Sequence, residues 1–271
     1  MGPLRVVVRR GGVVEATHRV HVASTDGLLI GDDIVSFLRS SAKPIQAIPL
    51  IEAYDDLDDD EIAIACASHR ADPAQLAAAR KLLARARATV DDLECGPQEG
   101  RPDGRLGHNC SGKHAGFLAV CAAHGWPFAG YRLADHPLQR RLRALLPGDA
   151  ATDGCGIPTY AQPLTEQAAL LLPTPERIAD AMRAFPALLG HSDGDDTRLM
   201  QALPGWIAKV GAEGLLCARS PEGVGWAFKV EDGSFRGLRP AVGAMLGVAD
   251  FAVVAVENSR DERVGEVQTD S

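Results

Sequence analysis

Two residue types that together can cleave an amide bond stand one helical turn apart near the start of the chain. In "FLRSSAKPIQAIPL", residues 37–50, Ser40 precedes Lys43 by three positions, where an apolar run begins. If this stretch is helical, both side chains share a face, and Ser40 lies at a helix N-terminus that favours a developing oxyanion. A desolvated lysine can take the serine proton and make the hydroxyl a nucleophile. The same two residues could also be a helix cap and a surface lysine, so the pair alone does not show whether they are catalytic.

A second serine and a second lysine follow in the same order along the chain. "CASHR" places Ser68 and His69 directly after the apolar run "EIAIACA", and "AKVG" places Lys209 on a predicted strand that ends in glycine. By itself, Lys209 fits a lysine at a strand edge equally well. Together with Ser40 and Lys43, the order resembles that of β-lactamases and penicillin-binding proteins, which are acyl-transfer enzymes.

Cysteines beside histidine, lysine or aspartate form a further group of candidate residues. "GHNCSGKHAGF", residues 107–117, sets Cys110 and Lys113 three positions apart at a predicted helix start, and "TDGCGIPTY" holds Cys155 in a glycine-bounded turn. Cysteine with histidine or carboxylate suggests a zinc site, although the spacing is not that of a zinc finger. On the residues alone, Cys110 is as well explained as a buried thiol, and His114 as a capping or core histidine.

The elements that must position these residues separate into strands at both ends of the chain and helices between them. Residues 5–23 predict two strands joined by a hairpin at Gly11-Gly12, and residues 206–233 predict three more, with a closing strand at 264–268. Helical spacing of apolar residues predicts helices over 74–88, 111–125, 137–146, 174–190 and 238–251. We therefore expect an α+β fold: one domain whose antiparallel sheet comes from about 1–39 and 205–271, flanked by helices, with a helical insertion from about 40 to 204.

Charge and composition narrow the possible partners. The formal net charge is -8, with no basic run, so nucleic acid is a poor candidate partner. No apolar run reaches the ~20 residues that span a bilayer, and no secretory signal is evident, so we expect no membrane association and a cytoplasmic location. The six cysteines are then expected to carry no disulfides.

Six motifs, taken together, resemble one known family. "RSSAKPIQA", "CASHR", "NCSGKHAGF", "DHPLQ", "TDGCGIPT" and "KVGAEG" occur in the order found in the asparaginase II family, the rhizobial thermolabile type of L-asparaginase. The similarity covers most of the chain. It implies a fold akin to serine β-lactamases, penicillin-binding proteins and glutaminases, with two serine–lysine tandems and a bound zinc ion.

The resemblance also assigns roles to individual residues. The implied catalytic tandems are Ser40 with Lys43, and Ser68 with Lys209. The implied zinc ligands, completed by a water, are Cys110, Lys113 and Cys155. Three neighbours of these motifs are expected to line the substrate pocket: Arg39, His69 and Asp153.

The expected reaction is hydrolysis of L-asparagine to L-aspartate and ammonia through an acyl-enzyme on Ser40, carried out by a homodimer. Three alternatives stay open at this point. The chain could be a serine amidohydrolase acting on glutamine or a β-lactam-like amide. It could be a zinc hydrolase that uses metal-bound water, with Ser40 only a cap. It could also be a non-catalytic, zinc-braced binding protein of the same fold.

Overall fold

The computed structural model describes residues 1–270 and divides them into eleven strands and twelve α-helices, with three short 3₁₀ turns. The strands are β1 (Leu4–Arg10), β2 (Val13–Ser24), β3 (Leu29–Ile30), β4 (Val35–Phe37), β5 (Asp149–Thr152), β6 (Pro158–Pro163), β7 (Ile207–Gly211), β8 (Leu215–Arg219), β9 (Gly225–Val230), β10 (Val253–Glu257) and β11 (Arg263–Thr269). The helices are α1 (Lys43–Gln46), α2 (Ile48–Ala53), α3 (Asp59–Ala65), α4 (Pro73–Ala86), α5 (Ser111–His124), α6 (Pro137–Leu145), α7 (Leu164–Ala168), α8 (Glu176–Ala184), α9 (Pro186–Leu189), α10 (Asp195–Ala202), α11 (Leu238–Leu246) and α12 (Ala249–Ala252).

The chain separates into two compact units. Unit 1 contains residues 1–41, 162–172 and the described chain from residue 202 onward, and unit 2 contains residues 42–161 and 173–201. The sheet from both termini and the helical insertion were both predicted from the sequence, and the α+β class is confirmed. The return of residues 162–172 to unit 1 was not predicted.

Unit 1 is built on an antiparallel sheet with the strand order β10-β11-β1-β2-β9-β8-β7, and β3 pairs with β2. Strand β1 is an internal strand between β11 and β2, and Val6, Val7 and Val8 have no exposed surface, so both faces of this strand are covered. Helices α7 and α11 pack on the sheet. The hairpin predicted at Gly11-Gly12 is present, and both glycines have the positive φ that such a turn requires.

Unit 2 is built around α5, whose residues from Ser111 to Cys121 are all buried. It packs against α2, α3, α4 and α6. Its first turn comes close to α3, because a Cβ on Gly112 would lie 2.3 Å from the Ile64 carbonyl oxygen. Only glycine permits this approach, so Gly112 fixes the distance between α5 and the end of α3.

Two parts of the sequence-based description were incomplete. The insertion also contains strands β5 and β6, which pair with each other. The helix predicted over 238–251 ends at Gly247, which has φ of +70° and terminates α11, and the unpredicted edge strand β10 pairs with β11. Within residues 1–270, no helix is both long and apolar enough to cross a membrane.

Candidate active site

Ser40 and Lys43 lie on consecutive turns of the chain. Ser40 belongs to a 3₁₀ turn (Arg39–Ala42), and Lys43 is the first residue of α1. The sequence predicted Ser40 at the N-terminus of an α-helix; the α-helix begins only at Lys43, because Pro44 follows it and suits the first turn of a helix. Arg39 enters the 3₁₀ turn with a left-handed φ of 49°, an uncommon conformation for a residue other than glycine.

The ammonium group of Lys43 is held against the segment that carries the second serine. Lys43 is 1% exposed, and its Nζ donates to the carbonyl oxygen of Ala67 and, at 3.0 Å, to Oγ of Ser68. Both acceptors are uncharged. A lysine in this position can exchange a proton with the Ser68 hydroxyl directly.

The backbone fixes Ser68 at the end of α3. The Ser68 N–H donates to the Leu189 carbonyl at 2.6 Å, and the N–H of His69 donates to the Asn109 carbonyl at 3.1 Å. These bonds attach the segment to two other parts of unit 2. These two backbone hydrogen bonds therefore fix the position of Ser68, and with it the position of the hydroxyl that contacts Lys43.

His69 has no exposed surface, and both of its ring nitrogens are engaged by the protein. Nδ1 accepts the Ala71 N–H at 3.1 Å, so Nε2 carries the proton and donates to Ser111 Oγ at 2.8 Å. Burial, assisted by the positive charge of Lys43, lowers the His69 pKa to about 4. We infer that His69 connects the Ser68 segment to the start of α5; its predicted contact with substrate stays a prediction.

Cys110, Lys113 and Cys155 form a buried cluster at the start of α5. Lys113 Nζ lies 3.1 Å from Cys155 Sγ, and the thiol of Cys155 hydrogen-bonds the sulfur of Cys110. This hydrogen bond, together with the positive charges of Lys43 and Lys113, holds the Cys110 pKa well below its usual range despite burial. Burial is the largest single influence on the pKa of Lys113 and lowers it. The nearby sulfurs of Cys155 and Cys110 together outweigh burial, so the pKa is raised overall. The cluster is thus arranged as thiolate and ammonium.

Cys110 and Cys155 as thiolates, with Lys113 once its ammonium has lost a proton, form a donor set that fits a zinc ion. Tetrahedral zinc with bonds of about 2.3 Å to sulfur and 2.0–2.1 Å to nitrogen separates such ligands by about 3.5 Å. The 3.1 Å between Lys113 and Cys155 needs only a small adjustment. Within residues 1–270, no three His, Cys, Asp or Glu side chains are grouped as a metal site, and Lys113 is the third nitrogen or sulfur donor of this cluster.

The remaining predicted residues lie in three places. Lys209 is fully buried on β7 in unit 1, where its Nζ donates to the Val210 carbonyl at 3.2 Å. Its predicted pairing with Ser68 stays a prediction. The Asp153 carboxylate accepts the Gly154 N–H at 2.7 Å, so it shapes the turn that presents Cys155. The Arg39 guanidinium lies 4.0 Å from the carboxylate of Glu213, also in unit 1.

Sequence reasoning missed a buried hydrogen-bonded chain beside the cluster. The Glu94 N–H donates to the Tyr131 hydroxyl at 2.9 Å, and that hydroxyl lies 2.6 Å from His114 Nδ1. His114 is fully buried, in agreement with its interpretation as a core histidine. The only sequence signal was the apolar setting of Tyr131, which does not identify its partners. All six cysteines are buried and free of disulfides, as expected.

Comparison with known protein families gives a match over nearly the whole chain. The model of a family described as L-asparaginase II matches residues 6–269 of the 271. No curated protein matches the sequence significantly.

Proposed function

Because the chain belongs to the L-asparaginase II family, we propose that it hydrolyses L-asparagine to L-aspartate and ammonia through a serine acyl-enzyme. Family membership supports an asparaginase-type amidohydrolase acting on a small amide. The proposal adds three points to this: the substrate is L-asparagine, a serine forms a covalent intermediate with it, and the site holds a zinc ion.

The observation that carries the proposal is the hydrogen bond of 3.0 Å between Lys43 Nζ and Ser68 Oγ. The ammonium of Lys43 also donates to the carbonyl oxygen of Ala67, so the chain holds its nitrogen against the Ser68 segment. A hydroxyl in direct hydrogen-bond contact with the amine can exchange a proton with it, which suits a lysine that works as a base.

In the proposed reaction, Ser40 Oγ attacks the carbon of the side-chain amide, and neutral Lys43 accepts the hydroxyl proton. Ser68, with Lys209, passes a proton to the amide nitrogen, so the C–N bond breaks and ammonia leaves. Backbone N–H groups at Ser40 and just after Lys209 would stabilise the oxyanion. A water molecule then attacks the ester, releases L-aspartate and restores the Ser40 hydroxyl.

A zinc ion would be held by Cys110, Lys113 and Cys155, which fit it as described above. When bound, it would supply positive charge for orienting an anionic group and would brace that wall of unit 2. The protein's own residues perform every proton transfer in the steps above.

The test of the function is ammonia release from a panel of L-asparagine, L-glutamine and a β-lactam amide, each with and without a chelator. The proposal expects asparagine to have the highest kcat/KM. A higher kcat/KM for glutamine would be consistent with the serine mechanism but would identify glutamine, not asparagine, as the preferred substrate. No ammonia release from any amide, by folded protein with its metal, would indicate a binding protein instead.

The test of the nucleophile compares two adjacent serines. Ser40→Ala should lower kcat at least about a thousandfold. Ser41→Ala is the matched control, because Ser41 is fully buried and its hydroxyl donates to the Leu38 carbonyl at 2.6 Å. It should lose stability but retain turnover once folded. Near-normal turnover by Ser40→Ala would favour attack by a metal-bound water.

The test of the base compares two buried lysines. Lys43→Met should abolish turnover. Lys229→Met is the control, because Lys229 is also buried and donates to the carbonyl oxygens of Glu213 and Val230. Equal losses in the two variants would remove the case for Lys43 as a base. The proposal also includes a homodimer in the cytoplasm, tested by sedimentation and by cell fractionation.

A further inference from the structure

A cavity of about 490 Å³ in unit 2 lies beside the hydrogen-bonded chain of Glu94, Tyr131 and His114. It shares no residue with either the serine–lysine or the cysteine–lysine cluster, and its walls are formed by residues 91–94, Gly96, Arg105, Phe128, Ala129 and Arg132. Cavities of about 300–1,000 Å³ are typical of small-molecule sites. We call it the Arg105 cavity.

Arg105 is held at one edge of this cavity by hydrogen bonds from one of its guanidinium nitrogens. Its Nη1 donates to the carbonyl oxygens of Asp91 at 2.7 Å and Leu93 at 2.9 Å. In the described part of the chain, Nη2 and Nε of Arg105 have no acceptor, and no carboxylate pairs with them. The side chain is therefore held in place while two donors stay available for a ligand, and carboxylates match arginine well.

The acidic residues of the cavity differ in how far they are already engaged. The Asp92 carboxylate accepts the N–H of Thr89 at 2.7 Å and so caps a 3₁₀ turn. The Glu94 carboxylate lies 3.6 Å from Nε of Arg132. Within residues 1–270, nothing pairs with the carboxylate of Asp91. After these pairings, one cation, Arg105, and one anion, Asp91, are left for a ligand.

The floor of the cavity is rigid. The N–H of Glu94 donates to the hydroxyl of Tyr131, which is fully buried and contacts His114 on α5. The N–H of Gly130 donates to Oε1 of Glu94 at 2.7 Å and joins the two walls. A ligand would therefore enter a largely formed site, and little ordering would oppose its binding.

From these charges we propose that the Arg105 cavity binds a small α-amino acid in its zwitterionic form. The ligand carboxylate pairs with Arg105, and its ammonium group pairs with Asp91. The side chain of Phe128, which also lines the cavity, gives the ligand side chain an apolar contact. A dicarboxylate would repel Asp91, and a simple amine would leave Arg105 unpaired, so neither matches the two charges.

The experiment uses the full chain and three probes of nearly the same shape. L-Valine carries both charges, 3-methylbutanoate lacks the ammonium group, and isobutylamine lacks the carboxylate. Binding is followed by calorimetry and by NMR shifts of backbone N–H groups in residues 91–96. We expect saturable binding of L-valine below about 10 mM, and at least about tenfold weaker binding of each single-charge probe.

Two substitutions remove the two charges of the cavity one at a time. Arg105→Ala should weaken L-valine at least about tenfold, and Asp91→Asn should weaken L-valine while it strengthens 3-methylbutanoate. Arg80→Ala is the matched control, because Arg80 is exposed on α4, near Asp103, and does not line the cavity. It should leave all three affinities unchanged.

Three results would overturn the proposal: no saturable L-valine binding up to about 10 mM, L-valine affinity that Arg105→Ala leaves unchanged, or equal affinity for L-valine and 3-methylbutanoate. Since the cavity and the proposed catalytic residues do not overlap, failure of the asparaginase proposal would leave these expectations unaltered. None of the three probes is an amide, so turnover does not enter the measurement.

Discussion

His69 should make this protein less stable in acid, and the size of its contribution can be derived from its surroundings. His69 has no exposed surface, and its pKa is lowered from 6.5 to about 4, first by burial and then by the charge of Lys43. The unfolded chain therefore binds more protons than the folded one between about pH 6.5 and 4. The neutral, buried ring of His69 therefore makes its full contribution to the free energy of unfolding above pH 6.5. This contribution is lost progressively as the pH falls from 6.5 to about 4, and it does not change further below about pH 4.

The size of the loss comes from the same two pKa values. The difference between 6.5 and about 4, at about 1.4 kcal/mol for each pH unit, corresponds to about 3 kcal/mol. Most folded domains have a free energy of unfolding of about 5–15 kcal/mol, so this loss is readily measurable.

The assay is urea unfolding of the wild type and of His69→Gln at pH values from 7.5 to 4. At pH 7.5 the variant should be less stable, because it lacks a buried ring that makes two hydrogen bonds. The difference should shrink by about 3 kcal/mol towards pH 4, since only the wild type must protonate this ring. His124→Gln is the control, because His124 is exposed at the end of α5. Parallel pH dependences for wild type and His69→Gln would refute the reasoning.

Three further substitutions should lower the free energy of unfolding, measured by urea unfolding at neutral pH. Gly112→Ala places a Cβ 2.3 Å from the Ile64 carbonyl oxygen, and this overpacking should cost at least about 1–3 kcal/mol. Glu61→Gln removes the buried charge that pairs with Arg85 at 2.9 Å, and because Arg85 keeps Asp56 as a partner the loss should be about 1.5–3 kcal/mol. Tyr131→Phe leaves two buried partners of its hydroxyl unsatisfied, at about 1–3 kcal/mol each.

Each of these substitutions has a matched control. Gly116→Ala lies one turn further along α5, where a Cβ would meet nothing closer than 3.4 Å, and should be tolerated. Asp56→Asn removes an exposed partner of Arg85 and should cost less than about 1 kcal/mol. Tyr54→Phe removes a hydroxyl that donates to one carbonyl oxygen in a half-buried position, and its effect should be the smaller of the two tyrosines. Equal losses in any variant and its control would contradict the mechanism given for that variant.

Local patterns account for the parts of the fold that the sequence predicted. The Gly11-Gly12 hairpin and the strands around Lys209 follow from short-range preferences that neighbouring residues set. Strand β10, "VVAVE", was missed because it pairs only with β11, and an edge strand with alternating exposure has a weak pattern. The short strands β5 and β6 were missed because their pairing depends on contacts made after the chain folds.

In the candidate site, too, the sequence could indicate local arrangements but not contacts between distant residues. Cys110 and Lys113 are three residues apart, so their shared face on α5 is a local property that spacing can indicate. The contact between Lys43 and Ser68 joins residues 25 positions apart, and no periodicity encodes it. The same holds for the hydrogen bond between His69 and Ser111, which joins residues 42 positions apart.

Two strand lysines show how far local geometry can identify a catalytic group. Lys209 and Lys229 are both buried, each is followed by valine, and each donates to the carbonyl oxygen of that valine. Burial and hydrogen bonding on the strand therefore do not separate them. For Lys229, burial lowers the pKa while nearby carboxylates, that of Glu213 first among them, oppose the shift. Only Lys209 stands in a motif of the matched family, "KVGAEG", so its role rests on that resemblance. For Lys43, the hydrogen bond to the Ser68 hydroxyl gives the proposed proton transfer a physical basis that does not depend on the resemblance.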